Sequence, residues 1–438
     1  MHITVLFLHE RRIHDLSIWL RSLEKTQRLS VLLLISKQTE RIVGDLTKDS
    51  IHQFEVSNID GRDKEHDLSS QRESTNQLVN FFREVRFAFS EYRRFRTNAR
   101  QILSQHQDTV LVTYDDRMPS IIAILDGAHA LDIPIFLPSL LTANPDRGTQ
   151  TANILKPQRF IERLLVRLLG PFLPNQMNQE NRLYFDPTTL VVLLWHRTLP
   201  TNPWAKGSLA LIDCLGVESR LIHDRLIDYG ISGQRMRVTG LPIYDFLDFS
   251  ATPDTSEKPD KPVLLLALPQ YAEHGAMTIE GALTIIRPLL ESLTHYHGKV
   301  VVSLHPRMKL EDYEATLSEF PFEYTTGGVN EWLKKCAVFV STNSSSTIYW
   351  ALMLGIPTIL LNHVYPKSDL FRDFDSLRYV EEDVTRELPD LINTLPDNHD
   401  VLIKEDQDKL SKPLVSDGNF GGRNVEILQQ LSQRNQVG

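Results

Sequence analysis

Two hydrophobic runs between residues 300 and 361 each end in a polar cluster. The first, VVVSLHPRM, ends in His305, Pro306 and Arg307, and the second, VFVSTNSSSTIYW, ends in a group of serines. β-Branched runs of this length, separated by helical patterns, predict parallel strands of an α/β sheet. Ligands of an open parallel sheet bind beyond the carboxyl ends of its strands, so we expect both clusters to border one crevice.

The serine cluster predicts a phosphate site. It contains Asn343, Ser344, Ser345 and Ser346, and it precedes an apolar helical pattern. A helix that starts near Ser346 offers unpaired backbone N–H groups and the positive end of its dipole, and the hydroxyls add further donors. Ser, Thr and Asn are also the preferred N-cap residues, so the cluster could simply cap the helix. One cap needs one such residue, whereas residues 341–346 are all of these types.

The spacing of the two clusters resembles that of a known group of enzymes. A His-Pro pair, followed about forty residues later by a serine pair and by GIP, resembles bacterial sialyltransferases, polysialyltransferases and capsule Kdo transferases, which are GT-B glycosyltransferases. In those families the His-Pro pair contacts the phosphate of a CMP-sugar, and the serines bind the same nucleotide. The resemblance implies these roles for His305, Pro306, Ser344 and Ser345. Arg307 is a further phosphate candidate, because a guanidinium suits bidentate contact.

The same families carry an acidic motif, Asp/Glu-Asp/Glu-Gly, that supplies the catalytic base from the first domain. Here VLVTYDDRMPS sets Asp115 and Asp116 after a predicted strand, with Arg117 where glycine is expected. The resemblance implies that Asp116 or Asp115 is the base, and that His305 takes part in catalysis by holding the leaving phosphate. The residues alone leave a second interpretation open, in which Asp115 or Asp116 caps a helix that begins near Pro119.

A polar turn follows the strand-like run PVLLLALPQ in the second half of the chain. It contains Gln270, Glu273 and His274. A turn after a buried strand borders the ligand crevice of a parallel sheet, so these three residues are secondary site candidates. An ordinary surface loop is the simpler interpretation.

Strand-like and helical runs alternate along the chain, which is typical of parallel α/β domains. At 438 residues the chain exceeds one ordinary core, so two domains are expected. The first half contains predicted strands over residues 3–8, 30–35, 109–113, 133–137 and 190–195. We predict an α/β, GT-B fold in which two Rossmann-like, doubly wound domains face a central cleft. Its parts are an acceptor domain over 1–248, a linker over 249–262, a nucleotide-sugar donor domain over 263–417, and a C-terminal helix over 418–438 that packs back across the domain junction.

The sequence offers no signal for a metal, a disulfide or a membrane span. Cys214 and Cys336 are its only cysteines and are far apart, and no HExxH motif is present, so we expect no metal and no cofactor besides the nucleotide-sugar substrate. The N-terminal MHITVLFLHERR lacks a signal-peptide pattern, and no apolar run is long enough to cross a bilayer. A cytoplasmic protein is expected, either free or at the inner face of the cytoplasmic membrane.

Two predicted helices interleave arginines with apolar residues. They are FFREVRFAFSEYRRFRTNAR over 81–100 and LKPQRFIERLLVRLLGPFL over 155–173. A basic amphipathic helix can lie on an anionic lipid surface, which would make peripheral membrane contact. It can equally be a solvated helix face. Nucleic acid is not an expected partner, because the chain has a net charge of −9 and no recognition motif.

These observations predict an enzyme, a metal-independent and inverting glycosyltransferase. The resemblance further implies a nucleotide-activated sugar as the donor, with CMP-sugar favoured, and a surface glycan or a lipid-linked glycan as the acceptor, as in bacterial polysaccharide biosynthesis. Inverting transfer needs a base for the acceptor hydroxyl and donors for the departing phosphate. Three alternatives remain open: a CDP-glycerol-type glycerophosphotransferase, a UDP-GlcNAc 2-epimerase-like isomerase, and a non-enzymatic nucleotide- or carbohydrate-binding protein.

Overall fold

A computed structural model divides the chain into two compact units. It describes residues 1–9, 13–48, 50–60, 77–140, 160–177, 181–245, 261–273, 277–342, 345–363, 371–395, 403–407 and 417–434. The first unit holds the described residues of Met1–Pro145, Gln158–Leu247 and Leu414–Gly438, and the second holds those of Asp248–Pro413. Except for its last two residues, the linker expected at 249–262 lies outside the described ranges.

The described part of the first unit contains a seven-stranded sheet in the order β3-β2-β1-β4-β5-β6-β7, and all of its pairings are parallel. The central strands are continuous runs of Val, Ile and Leu because both faces of a parallel sheet are covered by helices. The order reverses between β1 and β4, which is where such sheets bind ligands. The strands are β1 His2–Phe7, β2 Ser30–Ile35, β3 Gln53–Asn58, β4 Thr109–Val112, β5 Ile135–Leu137, β6 Cys214–Val217 and β7 Met236–Val238.

The helices of the first unit lie between these strands. The longest, α4, packs against α5 and α7. Short 3₁₀ turns follow at Gly170–Phe172, Pro174–Gln176, Gly233–Arg235 and Pro242–Asp245. The helices are α1 Ile13–Glu24, α2 Lys37–Glu40, α3 Val43–Thr47, α4 Gln77–Leu103, α5 Pro119–His129, α6 Phe160–Leu169, α7 Pro187–His196 and α8 Arg220–Asp228.

One predicted strand is wrong: residues 190–195 belong to helix α7. The carboxylate of Asp186 caps this helix by accepting the backbone amides of Thr188 and Thr189, both at 3.0 Å. Pro187 occupies the first turn, where its fixed φ suits a helix and its missing N–H is not needed. The run LVVLLW is apolar at every position, so its periodicity cannot separate a strand from a buried helix. The four other predicted strands of the first half are confirmed.

The described part of the second unit contains a six-stranded sheet with parallel pairings, in the order β10-β9-β8-β11-β12-β13. Its core is built from the inward residues of β8, β9 and β11 and from the apolar face of α9. The strands are β8 Val263–Ala267, β9 Lys299–Leu304, β10 Glu323–Thr326, β11 Val338–Ser341, β12 Thr358–Leu361 and β13 Leu377–Val380. The helices are α9 Ile279–Leu293, α10 Leu310–Leu317, α11 Val329–Leu333, α12 Ser346–Met353 and α13 Val384–Thr394.

The last helix, α14 Phe420–Arg434, returns the chain to the first unit, where it packs against α1. Asp245 caps it, because its two carboxylate oxygens accept the amides of Phe420 at 2.9 Å and Gly421 at 3.1 Å. The indole N–H of Trp19 donates to the buried Asn424 side chain at 3.2 Å. A cap and a buried side-chain hydrogen bond therefore fix this helix on the first unit.

Candidate functional site

The His-Pro pair lies at the carboxyl end of β9. His305 opens a turn in which its carbonyl accepts the amide of Met308 at 2.8 Å, and its Nδ1 accepts the amide of Arg307 at 3.1 Å. A neutral imidazole that accepts at Nδ1 carries its proton on Nε2. The ring is half-buried, whereas Pro306 and Arg307 are exposed. The turn thus fixes the His305 tautomer that donates through Nε2.

The serine cluster lies at the carboxyl end of β11. The Thr342 hydroxyl donates to the carbonyl of Ala267 at 2.8 Å, and the Tyr271 hydroxyl donates to the carbonyl of Thr342 at 2.8 Å. These bonds join the ends of β11 and β8. Ser345 is the N-cap of α12, and its hydroxyl accepts the Thr347 amide at 3.4 Å. The predicted site residues Asn343 and Ser344, with the side chain of Ser346, lie outside the described residues.

Strand β8 lies between β9 and β11, and the strand order reverses between β8 and β11. Gln270 follows β8 and is buried, and its amide oxygen has no hydrogen-bond partner among the described residues. A buried acceptor without a donor is costly, so this oxygen suits a ligand that brings an N–H or O–H group. Glu273 accepts the Tyr313 hydroxyl at 2.8 Å, and His274 lies outside the described residues.

Two further polar residues of the second unit were not predicted from the sequence. Asn362 follows β12 and donates to the Glu381 carboxylate, which follows β13, at 3.0 Å, and Arg372 pairs with the same carboxylate. An open cavity of about 470 Å³ lies beside Glu381 and is lined by Tyr379, Glu381, Glu382, Asp383, Arg386 and Glu387. The signal that could have found Asn362 is its position directly after the buried run TILL, whereas the run LRYV before Glu381 contains a charged residue.

In the first unit, Asp115 follows β4 and forms an ion pair with Arg117. Its carboxylate accepts the Arg117 backbone amide at 2.8 Å and the guanidinium Nε and Nη2 at 3.3 and 3.2 Å. Burial opposes ionisation of Asp115, but the charges of Arg117 and Lys206 outweigh it and hold the pKa of that carboxyl well below its ordinary value. Asp115 is therefore a permanent carboxylate at neutral pH.

Asp116 has a different environment. One of its oxygens accepts the backbone amides of Gly207 at 2.9 Å and Leu209 at 3.1 Å, and the other has no hydrogen-bond partner among the described residues. Burial, followed by the negative charge of Asp115, raises the pKa of Asp116 to about 6. The side chain is fully buried. Asp116 thus holds the 207–209 loop, and its pKa lies near the range in which a base works.

The interpretation of the acidic pair as a helix cap is wrong. Helix α5 does begin at Pro119, but its N-cap is Met118, and no side chain caps it. Asp115 instead closes the turn to Arg117, and Asp116 reaches across to the loop before β6. The role of either carboxylate as the base stays a prediction.

Sequence reasoning missed His9, an ionisable residue at the first unit's switch point. His9 follows β1, and its ring meets that of Tyr114 edge-on, with centroids 6.3 Å apart. Lys206 donates to the carbonyl of Tyr114 at 3.2 Å. Because β1 and β4 are neighbours, His9 and Asp115 follow adjacent strands at the edge where ligands bind. The sequence signal was a histidine directly after the first buried strand.

Neither a metal cluster nor a membrane span is found in the part of the chain that the structure describes. No three His, Cys, Asp or Glu side chains gather there as a metal ion would require. No described helix is both long and apolar enough to cross a bilayer. The two cysteines, Cys214 and Cys336, are free.

The architecture is shared with solved sugar-nucleotide enzymes. No protein-family model matches the sequence, and no curated protein sequence matches it significantly. UDP-GlcNAc 2-epimerase from Neisseria meningitidis, bound to UDP-GlcNAc, aligns with 98% of this chain and 100% of its own at 13% identity and a TM-score of 0.53. Glycosyltransferase VinC in complex with dTDP aligns with 99% of this chain and 100% of its own, at 12% identity and a TM-score of 0.53. The calicheamicin glycosyltransferase CalG4 aligns with 99% of this chain and 98% of its own, at 13% identity and a TM-score of 0.54.

These similarities confirm the expected fold class. The chain has two Rossmann-like, parallel α/β domains like those of GT-B glycosyltransferases and UDP-GlcNAc 2-epimerases. In both domains the strand order is that of a doubly wound sheet with one switch point. At such low sequence identity the similarity establishes the fold, and the reaction has to be argued from the site.

Proposed function

We propose that this protein is a glycosyltransferase that moves a sugar from a CMP-sugar to a surface-glycan or lipid-linked acceptor. The observation that carries the proposal is the position of His305 and Ser345 at the ends of β9 and β11, on either side of β8. This is the crevice where doubly wound sheets bind nucleotides. Glycosyltransferases with the same architecture support the reaction class.

On the donor side, His305 and the start of α12 hold the phosphate. The Nε2 proton of His305, the Ser345 hydroxyl and the amide of Ser346 at the start of α12 are donors to a group whose negative charge grows as it leaves. Arg307 adds a guanidinium. The buried oxygen of Gln270 suits the exocyclic amino group of cytosine, which is a hydrogen-bond donor. These groups suffice for a transfer that needs no metal ion.

On the acceptor side, a base takes the proton of the acceptor hydroxyl. The hydroxyl oxygen then bonds to the anomeric carbon as the bond from that carbon to the phosphate oxygen breaks, and CMP leaves. A single displacement of this kind inverts the anomeric configuration. Asp115 and Asp116 are the predicted bases, and the structure adds His9 as a third ionisable group at the same sheet edge.

A UDP-GlcNAc 2-epimerase-like isomerase is the second candidate, and one observation favours it. The Neisseria meningitidis enzyme of that activity shares the fold over nearly the whole chain. An isomerase of this kind would bind UDP in preference to CMP. A glycerophosphotransferase would instead prefer CDP, and a non-enzymatic protein would bind a nucleotide without turnover.

The test is thermal stability of the full-length protein with CMP, CDP, UMP, UDP and GDP. A ligand that binds only the native state raises the melting temperature. We expect CMP to do so, and the shift to disappear in His305→Ala. The matched control is His297→Ala, an exposed histidine just before the amino end of the same strand β9, which should keep the shift. Selective stabilisation by UDP or CDP would replace the proposal by the corresponding alternative, and no shift with any nucleotide would overturn it.

A further inference from the structure

Large apolar side chains are exposed on three neighbouring helices of the first unit. The most exposed are Phe172 at 80%, Trp195 at 72% and Phe82 at 67%. We call the set the aromatic surface, and it consists of Leu78, Val79 and Phe82 on α4, Phe160, Leu164 and Leu168 on α6, Phe172 in the following 3₁₀ turn, and Leu194 and Trp195 on α7. Scattered single apolar residues are normal on a surface, but a contiguous group indicates an interaction site.

The three helices that carry the aromatic surface are neighbours. Helix α7 packs against both α4 and α6. The ring of Trp195 meets the ring of Phe89 edge-on, with centroids 6.0 Å apart. Phe89 lies seven residues after Phe82, which places both on one face of α4. The side chains of Phe82 and Trp195 therefore belong to one side of the unit.

Helix α6 exposes the apolar stripe that an ordinary surface helix would bury. Phe160, Leu164 and Leu168 are spaced by four residues, so they form one stripe, and all three are exposed. On the same helix Ile161 is buried. An amphipathic helix of a globular domain usually turns such a stripe toward the core. On α6 this stripe is exposed, so packing against the described part of the unit does not account for it.

Arginines border the aromatic surface. Arg163 and Arg167 precede Leu164 and Leu168 on α6, and Arg86 lies between Phe82 and Phe89 on α4; all three arginines are exposed. The sequence of α4 contains six arginines and two glutamates, although the whole chain carries a net charge of −9. The acidic neighbours Glu84 and Glu162 reduce this local positive charge but do not cancel it.

We propose that the aromatic surface docks on the anionic headgroups of a phospholipid bilayer. Phe, Trp and Leu side chains would enter the headgroup and acyl boundary, where aromatic residues are favoured, and the arginines would contact lipid phosphates. A second copy of the chain fits less well, because it would bring two arginine-bordered surfaces face to face. This inference does not depend on the proposed transferase activity, because docking requires neither nucleotide nor turnover.

Sedimentation of the full-length protein with lipid vesicles tests the inference. We expect binding to phosphatidylcholine vesicles that contain phosphatidylglycerol, and at least about tenfold weaker binding to phosphatidylcholine alone. Added salt should weaken the binding, because exposed charges are screened. Compared with wild type, the double variant Trp195→Ser, Phe172→Ser should bind the anionic vesicles ~10-fold more weakly, because two inserted aromatic side chains are lost.

Two variants control for folding and for general stickiness. Arg163→Glu with Arg167→Glu changes only exposed positions and should lower binding to the anionic vesicles by about tenfold or more. Ile227→Ser and Leu310→Ser remove exposed apolar residues that are not part of the aromatic surface and should leave binding unchanged. The inference is overturned if vesicles of neither composition bind, or if binding ignores lipid charge and the arginine variant. It is also overturned if light scattering finds a dimer that the serine variant dissociates.

Discussion

The Asp116 carboxylate accepts the backbone amide of Gly207 at 2.9 Å, although 91 residues separate the two in sequence. Gly207 has a positive φ of 83°, and a Cβ there would lie 2.3 Å from a methyl group of Leu215. The turn therefore needs glycine, and its amide points at the buried carboxylate. Since the neighbouring Lys206 donates to the Tyr114 carbonyl, Asp116 positions a loop that borders the first unit's candidate site.

The raised pKa of Asp116 predicts a pH dependence of stability. Its pKa is about 6 in the fold and about 3.8 when unfolded, so between these values the folded protein binds more protons than the unfolded chain. The stabilising contribution is fully present below the unfolded pKa and is lost as pH rises through 6. Asp116→Asn removes this titration. Relative to wild type, we expect its unfolding free energy to rise by roughly 3 kcal/mol across that window.

Urea unfolding of both proteins at a series of pH values measures this difference. The difference between the two proteins should be constant below the window and again constant above it, and the two values should differ by roughly 3 kcal/mol. The Asn amide keeps one acceptor for Gly207 and Leu209 but loses the charge. If the offset stayed constant throughout, Asp116 would not be the group that titrates there.

The Asp115–Arg117 pair predicts a large loss of stability when its cation is removed. Arg117→Ala leaves the buried Asp115 carboxylate without its partner, and breaking a buried pair in this way costs about 3–5 kcal/mol. Arg117→Ala combined with Asp115→Asn should recover much of that loss, since no buried charge is then unpaired. Arg287→Ala is the control, because its two bonds to Glu319 lie at the surface and should contribute little. Equal losses from the two arginine variants, measured by urea unfolding, would contradict the burial argument.

His9 offers a test of which group takes the acceptor proton. If His9 is the base, His9→Asn should lower kcat by about 10²–10⁴ and leave CMP binding unchanged. His2→Asn is the matched control, because His2 is exposed at the opposite end of the same strand β1. Asp115→Asn should have the larger effect on turnover if Asp115 is the base. Unaltered turnover in both variants would leave Asp116 as the remaining candidate.

Much of the fold was predictable because buried parallel strands are apolar without interruption. The runs that became β1, β2, β8 and β9 have this property and end at polar residues. Strand β3 was missed because it lies at the sheet edge, where only Phe54 and Val56 of its six residues are large and apolar. Residues 190–195 were misassigned because the decisive signal, the Asp186 cap and Pro187, precedes the apolar run.

The locations of candidate site residues that directly follow a strand could be predicted from the sequence. Contacts between residues far apart in the chain could not. His305 and Ser345 follow strands, so the parallel-sheet rule predicted their common edge. The partners of Asp116 are backbone amides of a distant loop, and no side-chain pattern announces them. The sequence showed Arg117 in place of glycine, but only the structure shows that it neutralises Asp115.

Replacing Gly421 by a larger residue should cause a severe packing defect in the first unit. A Cβ at this position would lie 2.0 Å from the carbonyl oxygen of Ser22 on α1, which is backbone and cannot rotate away. Gly421→Ala should therefore separate α14 from α1. We expect it to lower the free energy of unfolding by the amount typical of overpacked cores, about 1–3 kcal/mol or more, and to lower the melting temperature accordingly. Gly44→Ala is the control, because its Cβ would meet nothing within 4 Å. It should be neutral or stabilising, since alanine favours a helix more than glycine does.

Ser345 allows the cap and the phosphate roles of the serine cluster to be separated. Ser345→Asp keeps a good N-cap for the Thr347 amide but puts a negative charge where the phosphate would bind. We expect the melting temperature without ligand to stay near that of wild type, and the shift caused by CMP to be lost. Ser345→Ala removes the cap without adding a charge. It should lose about 1 kcal/mol of stability and should still bind CMP measurably, although more weakly than wild type does. If Ser345→Asp bound CMP as well as wild type does, Ser345 would only be a helix cap.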